Sequence, residues 1–295
     1  MKALVAGWFS FEQMGASAGD LIARDLVVGW LDEADHVYDV ALAAPFAGGV
    51  DWSNVDPEAY SHLVFVCGPF GNGAPVAGLL DRFRGRRLVG VNLTMLEPVE
   101  TWNPFDVLLE RDSSRLARPD LVFAAGNRRV PVVGLVLIDA QPEYGGRDLH
   151  AAADRAIEEL LGSRDVAVVA VDTRLDVNRT GLRTPAQVES LIACTDVVVT
   201  TRLHGLVLAL SNGVPAVAVD TVAGGGKVTR QAEALGWPVL GVEGLSAAAL
   251  ADTFDFCLTS AARARARACA ESAAGRLASV RTSFLAELAG RPRDV

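Results

Sequence analysis

Val197-Val198-Val199-Thr200-Thr201-Arg202-Leu203-His204-Gly205 reads as a buried strand that turns directly into a helix. Three consecutive valines leave no polar face, which suits a strand covered on both sides, as in a parallel sheet. Leu203, Leu206, Val207 and Leu210 then recur at helical spacing, and Asn212-Gly213 closes the helix. A strand feeding a helix is half of a βαβ unit, and the same grammar repeats outward from it. Short apolar runs lie at residues 3–6, 37–40, 63–67, 88–91, 107–109 and 121–123. A second set lies at 132–138, 166–171, 197–200 and 216–219. Between them, Ile22, Leu26, Val27, Trp30 and Leu31 mark one helical face, with Asp20 as its expected N-cap. Thr184-Pro185-Ala186-Gln187 is a cleaner start: Thr as N-cap, Pro at the first helical position and Gln three residues on.

Strands alternating with helices imply an α/β chain of open parallel sheets. At 295 residues the chain suits two domains. The turn at residues 127–131 is the expected division between two Rossmann-like domains, 1–128 and 129–295. Residues 246–290, rich in Ala and Arg, read as a helical tail of one or two helices. Leu277, Val280, Phe284 and Leu288 are expected to pack it along one face.

Composition narrows the functional classes. The chain is 51% hydrophobic and 21% charged, with net charge −9 and a pI of about 5.0, ordinary for a globular protein with a sizeable core. An acidic surface argues against non-specific nucleic-acid or anionic-membrane binding. Cys67, Cys194, Cys257 and Cys269 show neither zinc spacing nor a disulfide framework, so buried free thiols in a reducing cytosol are expected. The apolar stretch after Lys2 is interrupted by Ser10, Glu12 and Gln13, with no cleavage site to mark a signal peptide. No apolar run is long enough to span a bilayer. A cytoplasmic protein without a membrane span is the expectation, and no metal-site spacing of carboxylates stands out.

In open α/β sheets, ligands bind beyond the carboxyl ends of the strands, where helix N-termini offer free N–H groups. At the end of the opening stretch, Arg202 supplies a planar fork for carboxylate or phosphate. His204 can exchange a proton near neutral pH. Gly205 lets a ligand or another backbone approach. The alternative is a structural Arg–His pair at a helix start, and position favours the ligand reading. At the next junction, Asp220-Thr221-Val222-Ala223-Gly224-Gly225-Gly226-Lys227, the glycines can wrap an anion and Lys227 adds a point charge; a merely flexible turn is the competing reading. It is not a Walker A loop. Asp172-Thr173-Arg174 lines the cleft or forms an ordinary loop. His36, His62 and His150 have no evident partners, and Arg263, Arg265 and Arg267 read as solvated.

The order of strand, Arg-Leu-His-Gly helix, Asn-Gly-Val-Pro, strand, glycine loop with Lys, and Ala-Leu-Gly-Trp-Pro resembles the polysaccharide pyruvyl transferase family. The likeness is most specific over residues 196–238. It extends to Arg111-Asp112-Ser113-Ser114, similar to the family's R-D-x-x-S segment, to residues 15–20, and to the glycine-rich loop at 68–73. Ser17 stands where the family usually has Asn, and Pro69, Phe70 and Asn72 break the glycine loop.

The resemblance implies a GT-B-like architecture and transfer of a pyruvyl group from phosphoenolpyruvate to hydroxyls of a sugar or glycan-like acceptor, commonly as a ketal. It implies His204 and Arg202 as catalytic residues. The expected substrate-binding set is Thr201, Lys227, Gly225, Gly226, Arg111, Asp20, Gly19 and Asn72. No cofactor is expected beyond phosphoenolpyruvate as donor substrate. The partners would be a small anionic donor on the C-terminal domain and a sugar-like acceptor on the N-terminal one. A GT-B-like glycosyltransferase using a nucleotide sugar, or a repurposed non-catalytic binder of an anionic ligand, are the competing readings.

Overall fold

A computed structural model describes residues 1–126 and 128–289. Asn127, in the expected dividing turn, and Gly290, at the end of the expected tail, lie outside the described residues. The chain forms two compact units, Met1–Arg128 and Arg129–Val295.

The first unit runs β1 (Lys2–Gly7), α1 (Ala18–Glu33), β2 (Val37–Val40), β3 (His62–Phe70), α2 (Val76–Arg82), β4 (Arg87–Met95) and β5 (Val107–Leu109). Its sheet is parallel throughout, in the order β2-β1-β3-β4-β5. From β1 the chain crosses to β2 on one side and then to β3 on the other, so the topological switch point lies between β1 and β3. One apolar cluster covers one face of the sheet with Leu4, Phe65, Phe70, Leu79 and Phe83, and in another Ala23 and Val27 of α1 cluster with Val5 and Val64 of the sheet.

The second unit runs β6 (Val132–Val136), α3 (His150–Gly162), β7 (Ala167–Ala170), α4 (Pro185–Ala193), β8 (Val197–Thr200), α5 (Leu203–Ser211), β9 (Ala216–Asp220), α6 (Lys227–Leu235), β10 (Leu240–Gly241), α7 (Ala247–Cys257) and α8 (Ser260–Ala289). Its parallel sheet has the order β10-β9-β8-β6-β7. Strand for strand this is the topology of the first unit, with its switch point between β6 and β8. Val197, Val198 and Val199 are buried at its centre, as their lack of a polar face requires, whereas the edge strand β7 leaves Val168 exposed. Thr184 caps α4, accepting from Gln187 N while the Gln187 side chain returns to the cap, an arrangement worth about 1 kcal/mol.

Several local expectations give way to tertiary structure. Ser17, not Asp20, is the N-cap of α1; Asp20 sits three residues on and accepts from Ser17 N (2.8 Å) and Oγ (2.6 Å). The run at 121–123 is a short 3-10 turn, Leu121–Ala124, not a strand. The expected glycine loop begins inside β3, which continues to Phe70 because Cys67 and Asn92, on neighbouring strands, both take positive φ (68° and 59°). Pairing resumes beyond them at Gly68 opposite Leu93, with Asn92 Nδ2 donating to Cys67 Sγ (3.4 Å).

Three more readings are corrected, two of them in the tail. Leu277, Val280, Phe284 and Leu288 are 59–67% exposed, because α8 is anchored by Ala262, Ala266 and Cys269 instead. Arg263 reaches Asp196 O and Arg265 reaches Gly236 O while lying over Trp237, so these side chains hold α8 to the unit and are not simply solvated. Of the cysteines, Cys194 is exposed.

Candidate active site

Beyond the switch point of the second sheet, two threonines lock β8 to β6. Thr200 Oγ1 donates to Val136 O (2.8 Å) and accepts from Arg202 N (2.9 Å). Thr201 Oγ1 accepts from Ile138 N (2.8 Å). Both are buried, so Thr201, expected to bind substrate, instead fixes the strand ends. Gly205 serves the same packing: a Cβ there would collide with Thr200 Oγ1 and lie 2.9 Å from Val136 Cγ1. The close approach inferred for this glycine is therefore that of α5 to the sheet, not of a ligand.

This lock aims the two residues that follow. Arg202 is the N-cap of α5, and its side chain, 16% exposed, donates from Nη1 to Asp172 Oδ1 (3.1 Å) at the end of β7. Asp172 also accepts from Arg174 N (2.9 Å) and Arg179 N (3.1 Å). Burial pushes the Asp172 carboxyl up, but these donors and the Arg202 charge outweigh it and hold it below the usual carboxylate range. Arg179 pairs with Asp139 at 2.8 Å. Asp139, Asp172, Arg179, Thr180 and Arg202 line a cavity of about 160 Å³. Arg202 is thus pre-oriented by one carboxylate, and its fork retains donors for an anion. His204, in the first turn of α5, is exposed and has no hydrogen-bond partner among the described residues.

The glycine loop departs from the expectation of open amides. Asp220, buried at the end of β9, accepts from Val222 N (3.0 Å), Gly226 N (2.7 Å), Thr229 N (2.8 Å) and Thr229 Oγ1 (2.7 Å). Gly225 N donates to Val222 O and Gly224 N to Glu243 Oε2. The amides of Gly224, Gly225 and Gly226 are all occupied, so the anions this loop wraps are the protein's own carboxylates. Burial pushes the Asp220 carboxyl up, and its donors together hold it low. What the loop offers a ligand is the Lys227 side chain, which opens α6 without an ion pair among the described residues.

The segment between β6 and α3 joins this edge as well. Leu149 N donates to Thr221 O and Ala223 N to Arg147 O, so the segment spans from the end of β6 to that of β9. Gln141, buried within it, reaches Thr221 Oγ1 at 3.2 Å. His150 has a partner after all, Asp148 Oδ2 at 3.0 Å from Nδ1, and His62 meets Ser61 Oγ at 2.9 Å.

In the first unit Arg111, Asp20 and the Asn72 N–H are already engaged by protein partners. Arg111 donates to Asp112 (3.0 Å), Asp120 (2.7 Å) and Thr94, so two carboxylates neutralise the charge expected to meet the donor. Asp20 is engaged in the α1 cap, Gly19 lies in its first turn, and Asn72 is exposed with its N–H toward Glu97 (3.4 Å). A different feature dominates this unit: a cleft of about 640 Å³ beyond β1, β2 and β3, walled by Phe11, Met14 and Trp52 with Glu12 and Asp51. Sequence reasoning missed it because its residues come from separate loops without spacing or periodicity.

Two doubly wound parallel units, the second with an Arg–His helix start beyond its switch point, define an α/β protein. Residues 136–221 match the family model for polysaccharide pyruvyl transferase, the stretch from the end of β6 through Arg202 and His204 to Thr221. This match supports a polysaccharide-modifying transferase. No curated protein matches the chain. Among solved structures, a spinosyn rhamnosyltransferase complexed with thymidine diphosphate is 14% identical (TM-score 0.35; 96% of this chain and 100% of that one covered). UDP-GlcNAc 2-epimerase from Methanocaldococcus jannaschii is 9% identical (TM-score 0.34; 89% and 94% covered). Acinetobacter baumannii MurG is 12% identical (TM-score 0.31; 92% and 94% covered). No helix among the described residues is long and apolar enough to cross a membrane.

Proposed function

We propose that the protein transfers a pyruvyl group from phosphoenolpyruvate to hydroxyls of a sugar or glycan-like acceptor, forming a ketal. The observation that carries this reading is the pairing at the start of α5 of a pre-oriented Arg202 with an exposed, unpartnered His204, inside the stretch that matches the family. Arg202 meets the donor carboxylate or phosphate, and Lys227 adds a second positive charge. The second unit is the donor side and the first the acceptor side.

In the reaction, protonation of the donor's methylene carbon gives a methyl group and cationic character at the adjacent carbon. An acceptor hydroxyl adds there and loses its proton to a base. The carbon–oxygen bond to phosphate then breaks, phosphate leaves, and a second hydroxyl closes the ketal as its proton departs. His204 transfers protons in this sequence, as acid toward the methylene carbon or as base for the acceptor hydroxyl.

A thermal-shift series with phosphoenolpyruvate, nucleotide sugars and inorganic phosphate tests the donor. A ligand that binds the folded state alone raises Tm with its concentration. Phosphoenolpyruvate is expected to raise it more than inorganic phosphate does. A shift with a nucleotide sugar and none with phosphoenolpyruvate would replace this reading with a glycosyltransferase.

A further inference from the structure

The cleft of the first unit has a chemistry of its own. It lies beyond the carboxyl ends of β1, β2 and β3, next to the switch point where open α/β sheets take ligands. Its volume of about 640 Å³ suits a small organic molecule.

Trp52 forms a rigid wall. Its indole N–H donates to Ser10 O (3.1 Å), and Phe11 packs against it nearly edge-on, ring centroids 5.7 Å apart. With the N–H engaged, the half-buried ring presents apolar surface beside Met14, which is 41% exposed. Glu12 is exposed and has no partner among the described residues. Asp51 accepts from the N–H and hydroxyl of Ser53, which hold its carboxyl low, helped by Arg82. It therefore remains charged near neutral pH. Among the described residues, those that line the cleft include no Arg, Lys or His.

An aromatic wall beside Glu12 and Asp51, with Arg82 acting on Asp51 from outside the cleft lining and no cation within it, suits a ring with apolar C–H faces and hydrogen-bond donors at its rim. The same carboxylates repel an anion. We infer that this cleft takes a neutral or amino-bearing sugar ring, stacked on Trp52 with a hydroxyl or ammonium group toward Glu12, and rejects uronates and sugar phosphates. The inference rests on the proposed function in treating the ring as the acceptor and deepens it by fixing the acceptor's charge.

Saturation-transfer NMR and calorimetry on the full chain at low salt test it. The probes are methyl glycosides of the gluco, galacto and manno series, a methyl 2-amino-glycoside and a methyl uronide. At least one neutral glycoside and the amino-glycoside are expected to bind at least about 10-fold more tightly than the uronide. Trp52→Ala is expected to weaken binding by about 10-fold, with circular dichroism checking the fold and Trp52→Phe retaining part of the affinity. Glu12→Gln, at an exposed site, is expected to narrow the gap between amino-glycoside and uronide to about 2–3-fold. Equal or tighter uronide binding, an unchanged gap in Glu12→Gln, or no binding by any probe overturns the proposal. Sugar binding without pyruvyl transfer would sink the proposed function and leave this inference standing; transfer to a uronide would do the reverse.

Discussion

Beyond β6 and β8 the second unit carries Arg202, His204 and, after β9, Lys227, whereas the topologically equivalent edge of the first unit carries Phe11, Glu12, Asp51 and Trp52. The strand orders match, so the backbone does not explain the difference. Loop residues do: one edge presents cations beside an exposed imidazole, the other an aromatic wall beside carboxylates. A shared scaffold sets where ligands bind, and side chains at the strand ends set which ones. The cations of the two units also differ in freedom. Arg202 shares one carboxylate, Asp172, while Arg111 is enclosed by Asp112 and Asp120.

The sharpest test of the comparison is His204→Ala. It is expected to lower kcat of the proposed transfer by about 10²–10⁴-fold with little change in Tm, since the side chain is exposed and unpartnered. Full retention of kcat would remove the catalytic meaning of the second edge.

Asp220→Ala comes next. Stranding the amides of Val222, Gly226 and Thr229 is expected to destabilise the second unit by at least about 3 kcal/mol, read by urea denaturation. A pH series sharpens the point. Asp220 and Asp172 have depressed folded-state pKa values, so their stabilisation is present above the unfolded pKa and is lost as pH falls through the folded values. Stability should therefore drop below about pH 4, and the drop should be shallower in Asp220→Asn.

Gly205→Ala drives a methyl group into Thr200 and Val136, with an expected loss of about 1–3 kcal/mol, visible as a lowered Tm. The smallest effect on donor binding is expected from Arg111→Ala. Phosphoenolpyruvate affinity should stay within about 2-fold in calorimetry, because that guanidinium is already matched by carboxylates. A large loss of affinity would erase the distinction between the two cations.

Periodicity carried most of the architecture. Valine runs such as Val197–Val199 have no polar face and suit strands covered on both sides, and Thr184-Pro185 with Gln187 is a complete local start signal. Where a neighbour chooses among local options, the sequence was silent. Asp20 and Ser17 are both capable caps, and their mutual hydrogen bonds decide which is the cap. β3 passes Gly68 and Pro69 because Cys67 and Asn92 bend together, a match between two strands that neither shows alone. The stripe of Leu277, Val280, Phe284 and Leu288 is visible as a helical face, yet its exposure is not.

The candidate site divides in the same way. That Arg202 and His204 stand at a strand's carboxyl end follows from the sequence, since a buried strand followed by a helix leaves them nowhere else. That Thr201 is a clamp, that the glycine loop is filled by Asp220 and Glu243, and that Arg111 is enclosed by carboxylates are decisions of tertiary structure. Hydrogen bonds and ion pairs there join residues far apart in the chain or select one partner among several nearby. Residue type and spacing state what a side chain can bind, and only its folded neighbours determine whether that capacity is already used.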